Sequence, residues 1–144
     1  MLIGIVGENC TGKTTLANEI NKYIPSVIYT GKDYLRMDKN PFMAEEKFNK
    51  ILKEETVEKN IIYIITEKDH LKFLSSDAFI IVVSEKLEVI KQRFKERMQG
   101  NLPKAVELML EKKHGIYDDL LCDLRIKSNN YNIENIIKLI KSNC

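Results

Sequence analysis

The segment GENCTGKTT (7–15) constrains the fold more than any other part of this chain. Gly7 is followed by four residues and then by Gly12–Thr14, a spacing at which a glycine-bounded loop joins a buried strand to a helix. Both neighbours are predicted here, because LIGIV (2–6) is an unbroken apolar run and an amphipathic pattern begins at Lys13. We therefore expect the chain to begin with a strand, a tight loop and a helix.

The rest of the chain repeats this alternation of strand and helix. Two apolar runs, IIYII (61–65) and AFIIVV (78–83), are typical of strands buried on both faces of a parallel sheet. SVIYT (26–30) and LRIK (124–127) are predicted to be two further strands. Such alternation predicts an α/β fold of three layers, in which a five-stranded, mainly parallel sheet is flanked by helices and joined by right-handed crossovers.

Apolar residues with helical spacing fill the segments between these strands. One helix is predicted over about 42–58, and another is predicted to begin after Ser84, which would be its N-cap. Two further helices are predicted, one ending near His114 and one over Ile133–Ile140. No linker, repeat or low-complexity segment interrupts the pattern. A chain of 144 residues with this pattern is predicted to form a single domain, residues 1–144.

Composition argues against several classes of partner. The formal net charge is +2, which favours neither nucleic acid nor an anionic membrane surface. No apolar run reaches the roughly 18–20 residues of a membrane span, and the amino terminus lacks the basic leader of a signal peptide. Three scattered cysteines make neither a disulfide framework nor a zinc site. We expect a cytoplasmic monomer or homodimer with no nucleic-acid or membrane partner.

The loop at 7–15 has the chemistry of a phosphate-binding site. Its backbone N–H groups and the amino end of the following helix converge where they can satisfy phosphate oxygens. In such a motif Lys13 bridges the β- and γ-phosphates, and the Thr14 hydroxyl binds Mg²⁺. A glycine turn without a ligand is the alternative. The predicted nucleotide-binding residues are Gly7, Asn9, Cys10, Thr11, Gly12, Lys13, Thr14 and Thr15.

Four stretches give the whole chain a resemblance to the small P-loop kinases, in particular to the nucleoside monophosphate kinase family of adenylate and cytidylate kinases. They are GENCTGKTT, TGKDYLR (30–36), RFKER (93–97) and DLRIKSNNYNIENIIKLI (123–140). No guanine-reading NKxD tetrapeptide follows a late strand, which argues against a GTPase. The resemblance implies a P-loop kinase fold and transfer of the γ-phosphoryl group of ATP, with Mg²⁺, to a small acceptor.

The segment TGKDYLR departs from the family pattern Thr-Gly-Asp-x-x-Arg by the insertion of Lys32. By resemblance, Arg36 holds the phosphate of the acceptor and Asp33 contacts the acceptor. In the shikimate- and gluconate-kinase relatives an acid at this place orients or deprotonates an acceptor hydroxyl, and general-base catalysis contributes roughly 10²–10⁴-fold. The alternative makes Asp33 the cap of a helix and Arg36 a surface residue.

The segment RFKER places Arg93 and Arg97 one turn apart on the same face of a helix. In the family this pair opens the lid and lies beside the adenine and the transferring phosphoryl group. Transfer of that group depends mainly on positioning and on cations. The resemblance therefore makes both arginines catalytic, together with Lys13 and Asp33; a solvated helix face is the alternative.

An acid at the end of the third strand completes the predicted site. By resemblance Glu67 matches the residue that holds a water bound to Mg²⁺, and Asp69 is the other candidate; an ordinary acid at a strand end is the alternative. The family's Asp-Gly-Phe-Pro-Arg is absent at this place, and the lid, about 98–115, contains no arginine. These departures leave the acceptor open.

The sequence therefore predicts an ATP-dependent kinase with an acceptor-binding insert at about 31–59. A nucleoside monophosphate is the leading acceptor. The alternatives are a hydroxyl of a non-nucleotide metabolite, as in shikimate or gluconate kinase, and a P-loop regulatory protein with little turnover. His70 and His114 are expected to be solvated or capping residues.

Overall fold

The computed structural model describes residues 1–143. Its centre is a sheet of five strands in which every neighbouring pair is parallel. The strands are β1 (Leu2–Gly7), β2 (Val27–Thr30), β3 (Ile61–Ile65), β4 (Phe79–Ser84) and β5 (Leu124–Lys127). Their spatial order is β2-β3-β1-β4-β5. The loop that follows the central β1 therefore emerges where the strand order reverses, which is where ligands bind in open parallel sheets.

Helices cover both faces of the sheet and confirm the predicted three-layer α/β fold. They are α1 (Lys13–Tyr23), α2 (Pro41–Glu55), α3 (Leu87–Arg97), α4 (Lys104–Lys113) and α5 (Ile133–Ser142). Two 3-10 helices, Gly31–Met37 and Lys68–Phe73, follow β2 and β3.

Side chains alternate between the two faces along each strand and build two cores. On β1, Ile3 and Ile5 pack with residues of α1 and α5, whereas Leu2 and Val6 pack with Phe48 of α2. The strands β1 and β3 are buried along their whole length, as their unbroken apolar sequences predict. The sheet is thus packed against helices on both faces.

Element bounds differ from the sequence expectations at two places. The prediction that Ser84 caps a helix is wrong, because Ser84 is the last residue of β4, where it is in register with Lys127 of β5, and α3 begins only at Leu87. The helix expected over about 42–58 ends at Glu55.

The predicted insert and lid both contain helical elements. The insert, about 31–59, holds the 3-10 helix Gly31–Met37 and α2, and the lid, about 98–115, holds α4. A turn in which Gln99 and Gly100 have positive φ separates α3 from α4. Within residues 1–143 no helix has the length and apolarity needed to cross a bilayer.

Candidate active site

A cavity of about 150 Å³ lies at the carboxyl-terminal edge of the sheet, above β1. Seven of the eight predicted nucleotide-binding residues line it, all except Gly7. The complete lining is Asn9, Cys10, Thr11, Gly12, Lys13, Thr14, Thr15, Thr30, Ile64, Thr66 and Arg97. The structure therefore gathers the predicted loop, the ends of β2 and β3, and one arginine of α3 around one space.

The backbone of the loop shows why its glycines are required. A methyl group on Gly7 would lie 2.6 Å from the carbonyl oxygen of Val83 and 2.7 Å from Thr11 Oγ1, so no side chain fits. Gly12 has a φ of +85° and precedes α1, whose amino end no side chain caps. The N–H groups of the first helical turn are consequently available to an anion in the cavity.

Lys13 is buried and bends back onto the loop. Its Nζ donates a hydrogen bond of 2.6 Å to the carbonyl oxygen of Glu8, and the residue is only 6% exposed. Burial, assisted by the nearby charge of Arg97, lowers the pKa of the Lys13 ammonium to about 8. An anion in the cavity would oppose this lowering, because it stabilises the charged form.

The two arginines of RFKER have different surroundings. Arg97, in the last turn of α3, is exposed and lines the cavity. Arg93 instead donates to the loop itself, with its Nη1 3.0 Å from the carbonyl oxygen of Cys10. Arg97 thus lines the cavity and Arg93 has a contact that the sequence did not predict, while the catalytic roles of both arginines stay predictions.

The predicted acceptor residues lie beside the cavity. Asp33 Oδ2 accepts a hydrogen bond of 2.8 Å from the backbone N–H of Thr30, so Asp33 caps the start of its 3-10 helix. Thr30 itself lines the cavity. Arg36 is exposed, does not line the cavity, and makes no polar contact with any residue of 1–143. The capping alternative thus describes the observed contact of Asp33, while the roles of Asp33 and Arg36 toward an acceptor stay predictions.

Glu67, the predicted metal-binding acid, is held by the helix that follows the lid turn. Its Oε2 lies 2.8 Å from Lys113 Nζ, and this hydrogen bond lowers the pKa of the Glu67 carboxyl. Glu67 lines a neighbouring groove of about 590 Å³ with Leu108 and Met109 of α4, not the cavity of the phosphate loop. Of the two predicted metal-binding residues, Thr14 and Glu67, only Thr14 lines the cavity.

The residues present fit a Mg²⁺ ion that arrives with its nucleotide. The exposed Thr14 lines the cavity, whereas no three acidic, histidine or cysteine side chains among residues 1–143 form a metal-binding group. Mg²⁺ in nucleotide sites commonly keeps several waters and binds one or two protein groups plus phosphate oxygens. The Thr14 hydroxyl is the predicted metal ligand that lines the cavity; the role of Glu67, and that of Asp69 as its alternative, stay predictions.

Sequence reasoning missed the part that Glu8 plays. Its carboxylate accepts from the backbone N–H of Gly115 at 3.1 Å and lies 3.0 Å from His114 Nδ1. The Tyr117 hydroxyl also donates to the carbonyl oxygen of Thr66 at 2.5 Å. The carboxyl end of α4 is therefore attached to the phosphate loop and to the end of β3. Glu8 stands at an unspecified position of the motif, so no sequence signal identified it.

The two histidines differ from each other. His114 is exposed and bonded to Glu8, which agrees with the predicted solvated or capping role. The same expectation for His70 is wrong: His70 is buried at 6% exposure, lies among Tyr34 and Phe73, and its Nδ1 has no hydrogen-bond partner within residues 1–143. Burial lowers the pKa of the His70 imidazole.

Comparisons with known proteins give structural likenesses only. No family model matches the chain, and no curated protein matches it. Shikimate kinase from Acinetobacter baumannii in complex with shikimate is 18% identical with a TM-score of 0.66, covering 99% of this chain and 93% of that one. The YorR protein of Bacillus subtilis in complex with phosphorylated GDP is 20% identical with a TM-score of 0.62, covering 99% and 94%.

A gluconokinase from Sinorhizobium meliloti is 8% identical with a TM-score of 0.60, and the likeness covers 98% of this chain and 89% of that chain. At these identities the likenesses show the fold, which is that of the P-loop kinases. The narrower resemblance to the nucleoside monophosphate kinases stays a prediction.

Proposed function

We propose that this protein transfers the γ-phosphoryl group of ATP to a small-molecule acceptor. The observation that carries the proposal is the convergence of Lys13, Thr14 and Arg97 on one cavity beside the amino end of α1. Phosphoryl transfer requires dense positive potential around three phosphate oxygens, and a preorganised set of N–H groups and cations supplies it. A glycine turn without a ligand would not need a buried lysine and an arginine from a distant helix at the same place.

Each group has a defined task in this proposal. The N–H groups at the start of α1 hold the β-phosphate, and Lys13 turns from the Glu8 carbonyl to the β- and γ-phosphates. Arg97 neutralises charge on the transferring group. Thr14 would hold a Mg²⁺ ion that arrives with the nucleotide, and the ion would supply positive charge beside the phosphate oxygens.

For the acceptor, we propose the hydroxyl group of a small non-nucleotide metabolite. Two of the three structures described above are kinases of this kind, the shikimate kinase and the gluconokinase. Asp33 supports the same choice, because the Thr30 to which it is bonded lines the cavity. Its carboxylate would orient or deprotonate the acceptor hydroxyl.

A nucleoside monophosphate is the second candidate. The resemblance in TGKDYLR favours it, and so does the likeness to YorR, whose structure holds phosphorylated GDP. In this case Arg36, which has no polar contact within residues 1–143, would be free to bind the acceptor's phosphate. The acceptor already carries an oxyanion, so a strong base is not required.

The test is ADP release with Mg-ATP over two panels, hydroxyl metabolites and nucleoside monophosphates, with Lys13→Ala as the inactive control. We expect turnover with a member of the first panel, and a loss of roughly 10²-fold or more in kcat for Asp33→Asn. Turnover only with monophosphates, little changed by Asp33→Asn, would shift the assignment to the second candidate. Tight Mg-ATP binding without ADP release in either panel would instead indicate a regulatory nucleotide-binding protein.

A further inference from the structure

The Arg93 side chain connects the loops that follow three neighbouring strands. Nη1 donates to the Cys10 carbonyl oxygen at 3.0 Å, in the loop after β1, and to Ser128 Oγ at 2.8 Å, just after β5. Nη2 lies 3.5 Å from Glu85 Oε2, just after β4. Because β1, β4 and β5 are adjacent in the sheet, one guanidinium group spans the whole of this half of the sheet edge.

Arg93 contacts the phosphate loop at Cys10, the non-glycine residue of the loop that has a positive φ. Cys10 has a φ of +60°, one of three non-glycine residues among 1–143 with positive φ. A side-chain-bearing residue is held in this region only when its surroundings favour it. The hydrogen bond from Arg93 engages the Cys10 carbonyl oxygen and so helps to hold the loop backbone in the conformation that lines the cavity.

Ser128 supports the loop from the same side. It is buried at 7% exposure, and its N–H donates to the Ser84 carbonyl oxygen at 2.9 Å. Its Oγ would lie 3.3 Å from a methyl group on Gly12. Arg93 and Ser128 together thus lie against the loop at Cys10 and Gly12.

We propose that Arg93 is a positioning residue that holds the phosphate loop in its binding shape, through Cys10 and Ser128, and does not act by contacting the nucleobase. The proposal rests on the proposed binding of a nucleotide phosphate chain at this loop. It assigns different tasks to the two arginines of RFKER: Arg97 faces the bound phosphates, and Arg93 shapes the site that receives them. It also predicts that replacing Arg93 weakens the binding of the phosphate chain and not that of the base.

The test compares a ligand that has a base with one that has none. Affinities for Mg-ADP and for inorganic tripolyphosphate are measured calorimetrically for the wild-type chain and for Arg93→Met. A residue that shapes the phosphate loop acts on both ligands, so we expect both affinities to fall by a similar factor, about tenfold or more, the scale of a hydrogen bond to a charged group. Arg93→Lys keeps a charged donor and should restore part of both.

Arg125→Met is the matched control. Arg125 also donates to backbone carbonyl oxygens, those of Tyr117 and Leu120, but it does not touch the phosphate loop. Its removal should leave both affinities within about twofold of wild type. Ser128→Ala, which removes one of the contacts of Arg93, should lower both affinities together, by about threefold. This milder variant and Arg93→Lys decide the question if Arg93→Met does not fold.

Two results would overturn the proposal. A fall in Mg-ADP affinity with unchanged tripolyphosphate affinity would show that Arg93 contacts the base or the ribose. Unchanged affinity for both ligands in a folded Arg93→Met would show that the loop keeps its shape without this side chain. Neither result depends on an acceptor, so a failure of the kinase assay with intact binding leaves this inference standing, and the reverse also holds.

Discussion

At the scale of single residues, Lys13 carries the clearest consequence of burial. Its ammonium is enclosed near Arg97, and its pKa is lowered from 10.5 to about 8. In the unfolded chain the pKa returns to its ordinary value, so between about pH 8 and 10.5 the unfolded chain binds more protons than the folded one. This group therefore makes the ligand-free protein more stable as pH rises through that window.

The same residue predicts how nucleotide binding depends on pH. Phosphate oxygens beside Lys13 favour its charged form, so above about pH 8 binding must be accompanied by proton uptake. We expect the affinity for Mg-ADP, measured calorimetrically from pH 7 to 9.5, to fall by up to about tenfold per pH unit above that pKa.

Lys13→Arg provides the comparison for this prediction. A guanidinium stays charged throughout the range, so the variant should bind more weakly but lose the steep dependence above pH 8. Equal slopes for the two proteins would mean that Lys13 does not titrate in this window.

The remaining site residues differ in whether a local sequence pattern identified them. Gly7, Gly12 and Lys13 were predicted because their spacing has one structural purpose, and the structure gives each a position that fits it. The contacts of Glu8 with Gly115 and of Ser128 with Arg93 were not predicted, since these partners lie more than thirty residues apart in the sequence.

At the scale of elements, the carboxyl end of α4 makes several hydrogen bonds to the sheet edge, which is not expected of a segment that moves as a lid. Glu8 binds the Gly115 N–H, Lys113 pairs with Glu67, and Tyr117 donates to Thr66. We propose that the part of the predicted lid free to move is the turn before α4, because Leu110 of α4 is buried and Glu111 pairs with Lys91 of α3. With this end of α4 fixed, the lid could close without breaking the contacts of Glu8 and Glu67.

This division can be measured by hydrogen exchange. Removing the carboxylate in Glu8→Ala leaves the Gly115 N–H without its acceptor, and we expect this amide to exchange about tenfold faster. Glu111→Ala is the control, because it breaks the ion pair between Glu111 of α4 and Lys91 of α3 and should leave the exchange of the Gly115 amide unchanged. Unaltered exchange of Gly115 in Glu8→Ala would mean that other contacts hold this end of α4.

The two 3-10 helices show where element prediction stops. Gly31–Met37 and Lys68–Phe73 span seven and six residues, too few for an apolar period to become visible. They nevertheless place Asp33 beside Thr30, and bring His70 into the apolar cluster with Phe73. Long amphipathic helices such as α1 and α5 were located within a few residues because their apolar faces repeat over several turns.

At the scale of the whole molecule, ligand binding should be visible as stabilisation. A ligand that binds only the folded chain adds about 2.7 kcal/mol at one hundred times its Kd. For a domain of this size we expect Mg-ADP at that excess to raise the melting temperature by about 5–10 °C.

Two lysine variants show whether that stabilisation comes from the phosphate loop. Lys13→Ala should abolish the shift, whereas Lys138→Ala, a substitution of an exposed lysine on α5, should retain it. A shift that survives in Lys13→Ala would place the nucleotide elsewhere on the molecule.

The sequence by itself determined the α/β class, the parallel sheet and the phosphate loop, because each depends on local patterns: apolar runs, helical periods and glycine spacing. Only the tertiary structure decided that Arg97 faces the cavity while Arg93 lies against the loop, and that Glu67 pairs with Lys113. These outcomes depend on which strand ends become neighbours in the order β2-β3-β1-β4-β5. A side chain's partner across such an edge is set by the packing of distant segments, which no local pattern encodes.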